Sequence, residues 1–206
     1  LPDGSYLCRP AGSGPFPAVL YNHGGKGDAV GGDLKGTCES LAKAGYVAHS
    51  EKRPATIHMN GHLDEVLAAL AALRDNADVD KNRVGVMGFS RGGLISLQVA
   101  VTKPDDVKAV ASLAPAAAKT ALSDTLKDAA KVTAPVRVYV SENDLYQDDH
   151  VQLAKDVESA LKAAGKDVQL TIYPKYGSDG HMRFDSVQEP YWSDVMAFLD
   201  STIGKK

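Results

Sequence analysis

The segment from residue 84 to residue 93 constrains the fold of this chain more than any other part of it. It reads Val-Gly-Val-Met-Gly-Phe-Ser-Arg-Gly-Gly, with small apolar residues before Ser90 and a helical pattern after it. A serine between Gly88 and Gly92 in this context predicts a G-x-S-x-G elbow, at which a strand ends sharply and a helix begins. Glycine is needed on both sides because a side chain there would collide with the neighbouring strand and helix. The segment therefore predicts a strained turn that lifts the Ser90 hydroxyl above a sheet edge.

Strand-like apolar runs alternate with helical patterns along the rest of the chain. After a short β segment at the start, the predicted strands are 16–22, 46–50, 83–89, 107–113, 136–141 and 168–173. The predicted helices are 34–44, 63–76, 91–102, 121–130, 150–164 and 191–203. This alternation predicts an α/β fold, a mostly parallel sheet with helices on both faces and right-handed crossovers. The strands are too few for an eight-fold barrel. Because no long insertion separates the strands, we expect one domain over residues 1–206 without a large lid.

Composition excludes several classes of partner. The chain is 44% apolar and 24% charged, as is usual for soluble globular proteins, and its net charge is −3. Without a Lys/Arg cluster, nothing favours nucleic acid or an anionic membrane, and the apolar runs are too short to span a bilayer. We therefore expect a soluble protein with a small-molecule substrate. The chain begins at Leu1 without a start Met, so a cytoplasmic protein and one secreted after signal-peptide removal both stay open, as does the oligomeric state.

The two cysteines, Cys8 and Cys38, lie in the first β segment and the first predicted helix. They form no C-x-x-C pair, which argues against structural zinc. Free cysteine packs as a small apolar residue, so we expect two separate buried thiols. The alternative is a disulfide, which would indicate an oxidising compartment.

A serine hydroxyl needs a base to take its proton before it becomes a good nucleophile. The chain order that accompanies an elbow is serine, acid, histidine, and only His150 and His181 follow Ser90. His181 lies in a polar, glycine-bearing loop after the last predicted strand, where a parallel sheet places its active site. It is the predicted base. We expect His150, at the start of a long helix, to lie at the surface.

The acid is expected just after the strand 136–141, between the serine and the histidine. Asp144 lies there, where a carboxylate can accept from the imidazole Nδ1–H and fix its tautomer. Glu142 is the next candidate, and an aspartate in a turn is the alternative role for Asp144. Asp148 and Asp149 are better explained as charges at the amino end of the next helix.

The backbone N–H of Arg91, at the start of the helix after the elbow, is one predicted oxyanion donor. The second should come from the loop after strand 16–22, which contains His23-Gly-Gly. We favour the Gly25 N–H, with Gly24 and Lys26 as alternatives, since glycine lets the backbone approach a developing oxyanion closely. His23 is in the wrong place to be the base and is expected to brace this loop.

Candidate substrate contacts are Arg53, Arg91, Lys26 and Tyr146. Arg53 follows a strand and Arg91 adjoins the serine, so either could bind a substrate carboxylate. An Arg91–Glu51 ion pair is the structural alternative, and core packing is the alternative for Tyr146.

No cofactor or metal is predicted. His58 and His62 have the spacing of helical zinc ligands, but the glutamate of H-E-x-x-H is missing and Asn60-Gly61 would break the helix. The glycines at 25–32 are not followed by the G-K-[ST] of a phosphate loop.

The motifs His23-Gly-Gly, Gly88-Phe-Ser-Arg-Gly-Gly, Glu142-Asn-Asp and Gly180-His occur together in the expected order. With them the chain resembles the α/β-hydrolase superfamily, and most closely a dienelactone-hydrolase-type esterase, over nearly its whole length. The resemblance implies a Ser90–His181–Asp144 triad acting through an acyl-enzyme. The chain departs from it at one point, because dienelactone hydrolases proper use a cysteine nucleophile. The serine favours a general carboxylesterase for small or short-chain esters.

Two other functions compete with this esterase. Prolyl-peptidase catalytic domains resemble the chain as well, which makes an amidase or peptidase the second enzymatic reading. A catalytically silent hydrolase fold used for binding is the non-enzymatic reading, and it would require loss of a triad member.

Overall fold

The computed structural model describes residues 1–25, 30–53 and 59–204, within which seven strands form one sheet. The strands are β1 Tyr6–Cys8, β2 Phe16–Asn22, β3 Val47–Glu51, β4 Val79–Phe89, β5 Ala109–Leu113, β6 Val136–Ser141 and β7 Val168–Tyr173. The helices are α1 Leu34–Lys43, α2 His62–Arg74, α3 Arg91–Thr102, α4 Ala121–Leu126, α5 His150–Ala163 and α6 Tyr191–Thr202. Short 3-10 helices cover Ala129–Lys131 and Gly180–Phe184. None of the helices in these ranges has the length and apolar character needed to cross a membrane.

The sheet is almost entirely parallel. Its strand order is β1-β3-β2-β4-β5-β6-β7, and β1 alone runs antiparallel, against β3. Parallel strands end at one shared edge, so the segments that follow β2, β3, β4, β6 and β7 meet there. The predicted fold, an α/β-hydrolase sheet without a large lid, is confirmed.

Helices cover both faces of the sheet, and this explains why the central strands are apolar throughout. All seven residues of β2 are buried. Ala18 and Leu20 belong to the core on one face, and Val19 and Tyr21 to the core on the other. The first core includes apolar residues of α2, α3 and α5, and the second those of α1 and α6.

Two predicted elements differ from the observed ones by more than two residues, each for a local reason. β4 begins at Val79 and not at residue 83, because Val79 pairs with Phe16 before a register shift. The exposed polar residues between these points conceal the strand in the sequence. The predicted helix 121–130 is two pieces, because the N–H groups of Lys127 and Asp128 bond to carbonyls three residues back and tighten the chain into a turn.

Cys8 and Cys38 form a disulfide that links β1 to α1, so the expectation of two separate thiols was wrong. The pairing depends on β1 folding back against β3, which places Cys8 opposite Ala48. α1 packs on the same strands, and the two Cα atoms come within 5.7 Å, a separation that a disulfide spans. Nothing local to either cysteine in the sequence reports this approach.

Candidate active site

Ser90 occupies a sharp turn between β4 and α3. Its φ of 55° and ψ of −116° lie outside the regions that residues other than glycine ordinarily adopt. The end of β5 holds the turn in place, since the Ser90 N–H donates to the Leu113 carbonyl at 2.8 Å. The Ser90 carbonyl accepts from the Ala116 N–H at 3.1 Å, which ties the turn to the chain after β5.

The glycines of the elbow are required by close backbone contacts. A Cβ on Gly88 would lie 2.3 Å from the Gly92 carbonyl oxygen, and a Cβ on Gly92 would lie 1.9 Å from that of Asn22. Both distances are far below van der Waals contact. The turn therefore forms only because α3 can press its first residues against the ends of β2 and β4.

Asp144 and His181 are buried together at the same edge of the sheet. The His181 Nδ1 lies 2.9 Å from Asp144 Oδ1 and 3.0 Å from Oδ2, with exposed fractions of 4% for the histidine and 0% for the aspartate. An ionised carboxylate can only accept, so the proton of neutral His181 is on Nδ1. Nε2 is then left with a lone pair that can accept a proton from a nearby hydroxyl group, such as that of a serine nucleophile.

A glycine allows the loops that carry these two residues to meet. Asp144 follows β6, and its N–H donates to the Ser141 carbonyl at 3.1 Å. A Cβ on Gly180, which precedes His181, would lie 2.6 Å from Asn143 Oδ1 and 2.8 Å from the Asp144 nitrogen. No larger residue fits between the acid loop and the histidine turn without moving one of them.

Arg183 fastens the histidine turn to the ends of β6 and β7. It is 6% exposed, its Nε donates to Ser141 Oγ at 2.9 Å and its Nη2 donates to the Pro174 carbonyl at 3.0 Å. Its guanidinium also lies over the Tyr173 ring at 5.2 Å. These contacts limit the movement of His181, two residues earlier.

His181 packs between the residue before Ser90 and a residue of the wall of the pocket that Ser90 lines. Its ring packs against Phe89, the residue before the serine, with 4.7 Å between ring centroids. On another side it stacks on Tyr146 at 5.0 Å and 18°. Tyr146 and Ser90 both line the pocket, so the Asp144–His181 pair lies next to one wall of it.

The structure reduces the candidates for the second oxyanion donor. The Gly24 N–H donates to the Gly31 carbonyl at 2.7 Å and is therefore occupied, which argues against Gly24. Gly25 lines the pocket with a φ of 92°. Lys26 lies outside the described residues. The Arg91 N–H belongs to the first turn of α3, whose amide groups point towards the pocket end of the helix.

His23 and Arg53 hold the His-Gly-Gly loop from behind. The Arg53 N–H donates to His23 Nε2 at 3.1 Å, which puts the ring proton on Nδ1, 2.5 Å from the Gly24 carbonyl oxygen. Burial, helped by the Arg53 charge, lowers the pKa of His23 to about 3, so the ring is neutral. The hydrogen bonds of His23 hold the His-Gly-Gly loop in place, as expected from the sequence.

Arg53 is placed behind the loop and not in the pocket. It is 2% exposed, and its Nη2 donates to the His23 carbonyl. Burial lowers its pKa to about 10, and its largest opposing influence is Glu51. We therefore conclude that Arg53 supports the His-Gly-Gly loop and does not make the predicted substrate contact. The main charged neighbour of Glu51 is Arg53.

The pocket at the elbow has a volume of about 540 Å³, within the range of small-molecule sites. Tyr146, 50% exposed, forms part of its wall. The remaining lining residues are mostly small or polar: Gly25, Met59, Asn60, Ser90, Arg91, Ala116, Ala118, Lys119, Thr120, Ala121, Asp124, Gln147 and Asp148.

The expectation that His150 lies at the surface was wrong. It is 2% exposed, and its ring lies 4.4 Å from the His181 ring. The loop between β6 and α5 folds over it, and its N–H donates to the Asp144 carbonyl at 3.2 Å. The only sequence signal was its position, six residues after the acid at the carboxyl edge of the sheet.

Asp144, His150 and His181 place one possible ligand atom each within 4.8 Å of one another. The Nδ1 of His181 already faces the Asp144 carboxylate, and both ring nitrogens of His150 face backbone carbonyls. Hydrogen bonding accounts for the cluster, and we assign no metal to it. His58, of the discounted His58–His62 pair, lies outside the described residues, and His62 begins α2.

The sequence profile of the dienelactone hydrolase family matches residues 51–179, more than half of the chain. The chain belongs to this family. A Bradyrhizobium sp. relative named "Probable 2-oxo-3-(5-oxofuran-2-ylidene)propanoate lactonase" is 27% identical, and the match covers 95% of this chain and 88% of the relative. Members of the dienelactone hydrolase family are hydrolases of the α/β-hydrolase fold, and this chain is one of them.

Solved structures agree on the fold. A fungal esterase from Rhizomucor miehei matches with a TM-score of 0.76 at 17% identity, over 96% of this chain and 78% of the esterase. Dipeptidyl peptidase 4 of Porphyromonas gingivalis matches with a TM-score of 0.73 at 17% identity. The match covers 96% of this chain and 33% of that longer protein. The fold is therefore shared by enzymes of different substrate classes.

Proposed function

We propose that this chain is a serine hydrolase that cleaves small or short-chain carboxylic esters through a covalent acyl-enzyme. The bond of 2.9 Å between His181 Nδ1 and Asp144 Oδ1, beside the pocket that Ser90 lines, is the observation that carries the proposal. It leaves Nε2 of His181 as the acceptor that a serine nucleophile needs.

We expect these residues to carry out the reaction in the following steps. Ser90 Oγ attacks the acyl carbonyl while His181 Nε2 takes the hydroxyl proton, and Asp144 stabilises the imidazolium that forms. The N–H groups of Arg91 and Gly25 hold the oxyanion. His181 then protonates the leaving alcohol, and the acyl-enzyme forms. Water repeats the sequence on the acyl-enzyme and regenerates Ser90.

The pocket supports a small substrate, because about 540 Å³ accommodates a short acyl chain and a modest alcohol. A lactone is a cyclic ester that the same steps would open, and the name of the Bradyrhizobium relative refers to a lactonase. We therefore include lactones among the expected substrates, next to open-chain esters.

The proposal is tested with a fluorophosphonate probe and a panel of p-nitrophenyl esters. We expect the wild type to be labelled and to prefer acetate or butyrate over octanoate. Ser90→Ala should fold, escape labelling and hydrolyse at the background rate. A p-nitroanilide of the same acyl group serves as the amide comparison and a γ-lactone as the cyclic one. Labelling of Ser90→Ala, or unchanged ester turnover by it, would contradict the proposal.

We further infer that the chain folds in an oxidising compartment, since disulfides such as Cys8–Cys38 persist there and are rare in the cytosol. Mass spectrometry after alkylation of the native protein from its own source would test this. Two alkylated cysteines would place it in a reducing compartment.

A further inference from the structure

Both ring nitrogens of His150 lie at hydrogen-bonding distance from backbone carbonyl oxygens. Nδ1 lies 3.1 Å from the Pro115 carbonyl oxygen, and Nε2 lies 2.9 Å from the Tyr146 carbonyl oxygen. Carbonyl oxygens only accept, whereas a neutral imidazole carries one N–H. In either neutral tautomer, one nitrogen would direct its lone pair at an oxygen. Only the imidazolium donates to both.

The surroundings balance such a charge. His150 Nε2 lies 4.0 Å from Asp144 Oδ1, within reach of its negative charge. Within residues 1–25, 30–53 and 59–204, the other titratable side chain recorded against the ring is that of His181, from the 3-10 helix, at 4.4 Å between ring centroids. Tyr146 offers its backbone carbonyl, and Asp149, next in the chain, uses its carboxylate to accept from the Gln152 N–H. Asp144 thus faces two histidines.

We propose that His150 is a positioning residue, held as an imidazolium, whose charge beside Asp144 and His181 sets the acid limit of the reaction. This inference rests on the proposed function, because it concerns the base of that reaction. A cation close to His181 opposes the addition of a second one. The step that protonates His181 would therefore place a second cation against the first, and we expect the activity to persist to a lower pH than it would beside a neutral residue.

The same residue ties together the two loops that frame the acid. Its ring joins Pro115, after β5, to Tyr146, after β6, and its backbone N–H holds the Asp144 carbonyl at 3.2 Å. A purely structural role would use these contacts alone. The charge adds an effect on pH dependence that a structural role does not have.

The protonation state is measured directly on the wild type, with no substitution. Long-range ¹H–¹⁵N correlation of ¹⁵N-histidine-labelled protein at pH 7 distinguishes protonated from unprotonated ring nitrogens. We expect both His150 nitrogens to be protonated, with assignment by loss of the signals in His150→Gln. One protonated and one unprotonated nitrogen would overturn the inference, whatever the activity of the enzyme.

The kinetic arm compares kcat/KM against pH for wild type, His150→Gln and His49→Gln. We expect the acid-side midpoint of His150→Gln to rise by about one pH unit or more, as removal of a charge at this range implies. His49, on β3, is the matched control and should keep the wild-type midpoint. A folded His150→Gln with a lower plateau and an unchanged midpoint would leave only the structural role and refute the proposal.

The two arms separate this inference from the proposed function. If the wild type is neither labelled by fluorophosphonate nor active on esters, the proposed function fails. The spectrum of His150 still reports its charge in that case. If the wild type is active and the spectrum shows a neutral His150, the inference alone fails. Should His150→Gln not fold, His150→Asn takes its place in the kinetic arm.

Discussion

Glu51 is a carboxyl group that the fold keeps in an unfavourable setting. It ends β3 beside Arg53, and among the described residues its Oε2 has no hydrogen-bond partner. Burial raises its pKa to about 7 from an ordinary value of 4.5, and Arg53 offsets part of this. Because the folded state holds the proton more tightly than the unfolded chain, stability falls as the pH rises from about 4.5 to about 7.

Glu51→Gln should therefore unfold at a higher urea concentration than the wild type at pH 8. We expect a gain of about 1–2 kcal/mol, less than the full pKa shift implies because the side chain is partly exposed. The gain should vanish below pH 4.5, where both states are protonated. Glu39→Gln, an exposed change on α1, is the control and should show no such trend. Loss of stability in Glu51→Gln at pH 8 would show that the Arg53 contact outweighs the burial.

At the scale of elements, the contact of α3 with the end of β2 decides whether the elbow can form. Gly92 lies in the first turn of α3, against the Asn22 carbonyl, and Gly93 follows it with looser surroundings. A Cβ on Gly93 would be 3.0 Å from the Leu113 carbonyl oxygen, compared with 1.9 Å from that of Asn22 for Gly92. Both positions are glycines in the same helix, and they differ in the room available for a Cβ atom.

Gly92→Ala should lower the free energy of unfolding by about 3 kcal/mol or more, because the backbone must shift to remove the overlap. Gly93→Ala should cost much less, since alanine gains about 1 kcal/mol of helix propensity over glycine. Urea unfolding of both variants measures the difference, and fluorophosphonate labelling reports whether the elbow survives. Equal stability of the two variants would mean that α3 can slide away from β2.

Helices and strands that follow from neighbouring residues were predictable from the sequence. Contacts between segments that are distant in the sequence were mostly not. β2, β6, β7 and α3 have the predicted bounds, because a short apolar run or an amphipathic stripe is a property of neighbouring residues. His150 was misjudged because its burial depends on the loop before α5 closing over it. The position of Arg53 behind the His-Gly-Gly loop likewise depends on the distant His23. The Asp144–His181 contact was expected because both residues follow parallel strands, which end at one edge.

For the molecule as a whole, the disulfide restricts the unfolded chain more than any hydrogen bond can. Cys8 and Cys38 are 30 residues apart, and closing a loop of that length reduces the entropy of the unfolded state. The bond also fixes the three-residue β1 against α1, at the edge of the sheet where an antiparallel strand has one neighbour.

Replacing both cysteines, as Cys8→Ser with Cys38→Ala, should destabilise the protein by about 3–4 kcal/mol. Thermal unfolding of the wild type with and without a thiol reductant provides the comparison, and the reductant should have no effect on the double variant. The active site should keep its hydrolase activity at temperatures where the variant is folded. A double variant as stable as the oxidised wild type would show that the disulfide adds nothing to the stability of the folded state.

The loop between β6 and α5 contributes both to the pocket wall, which affects substrate preference, and to the surroundings of the acid, which affect the pH range of activity. Within a few residues it supplies the acid Asp144, the pocket wall at Tyr146, Gln147 and Asp148, and the histidine that begins α5. Mutations selected here for a new substrate would also disturb the carbonyl that His150 uses. Relatives that differ in substrate preference should then also differ in the pH range in which they are active. Selection for either property would change the same nine residues, 142–150.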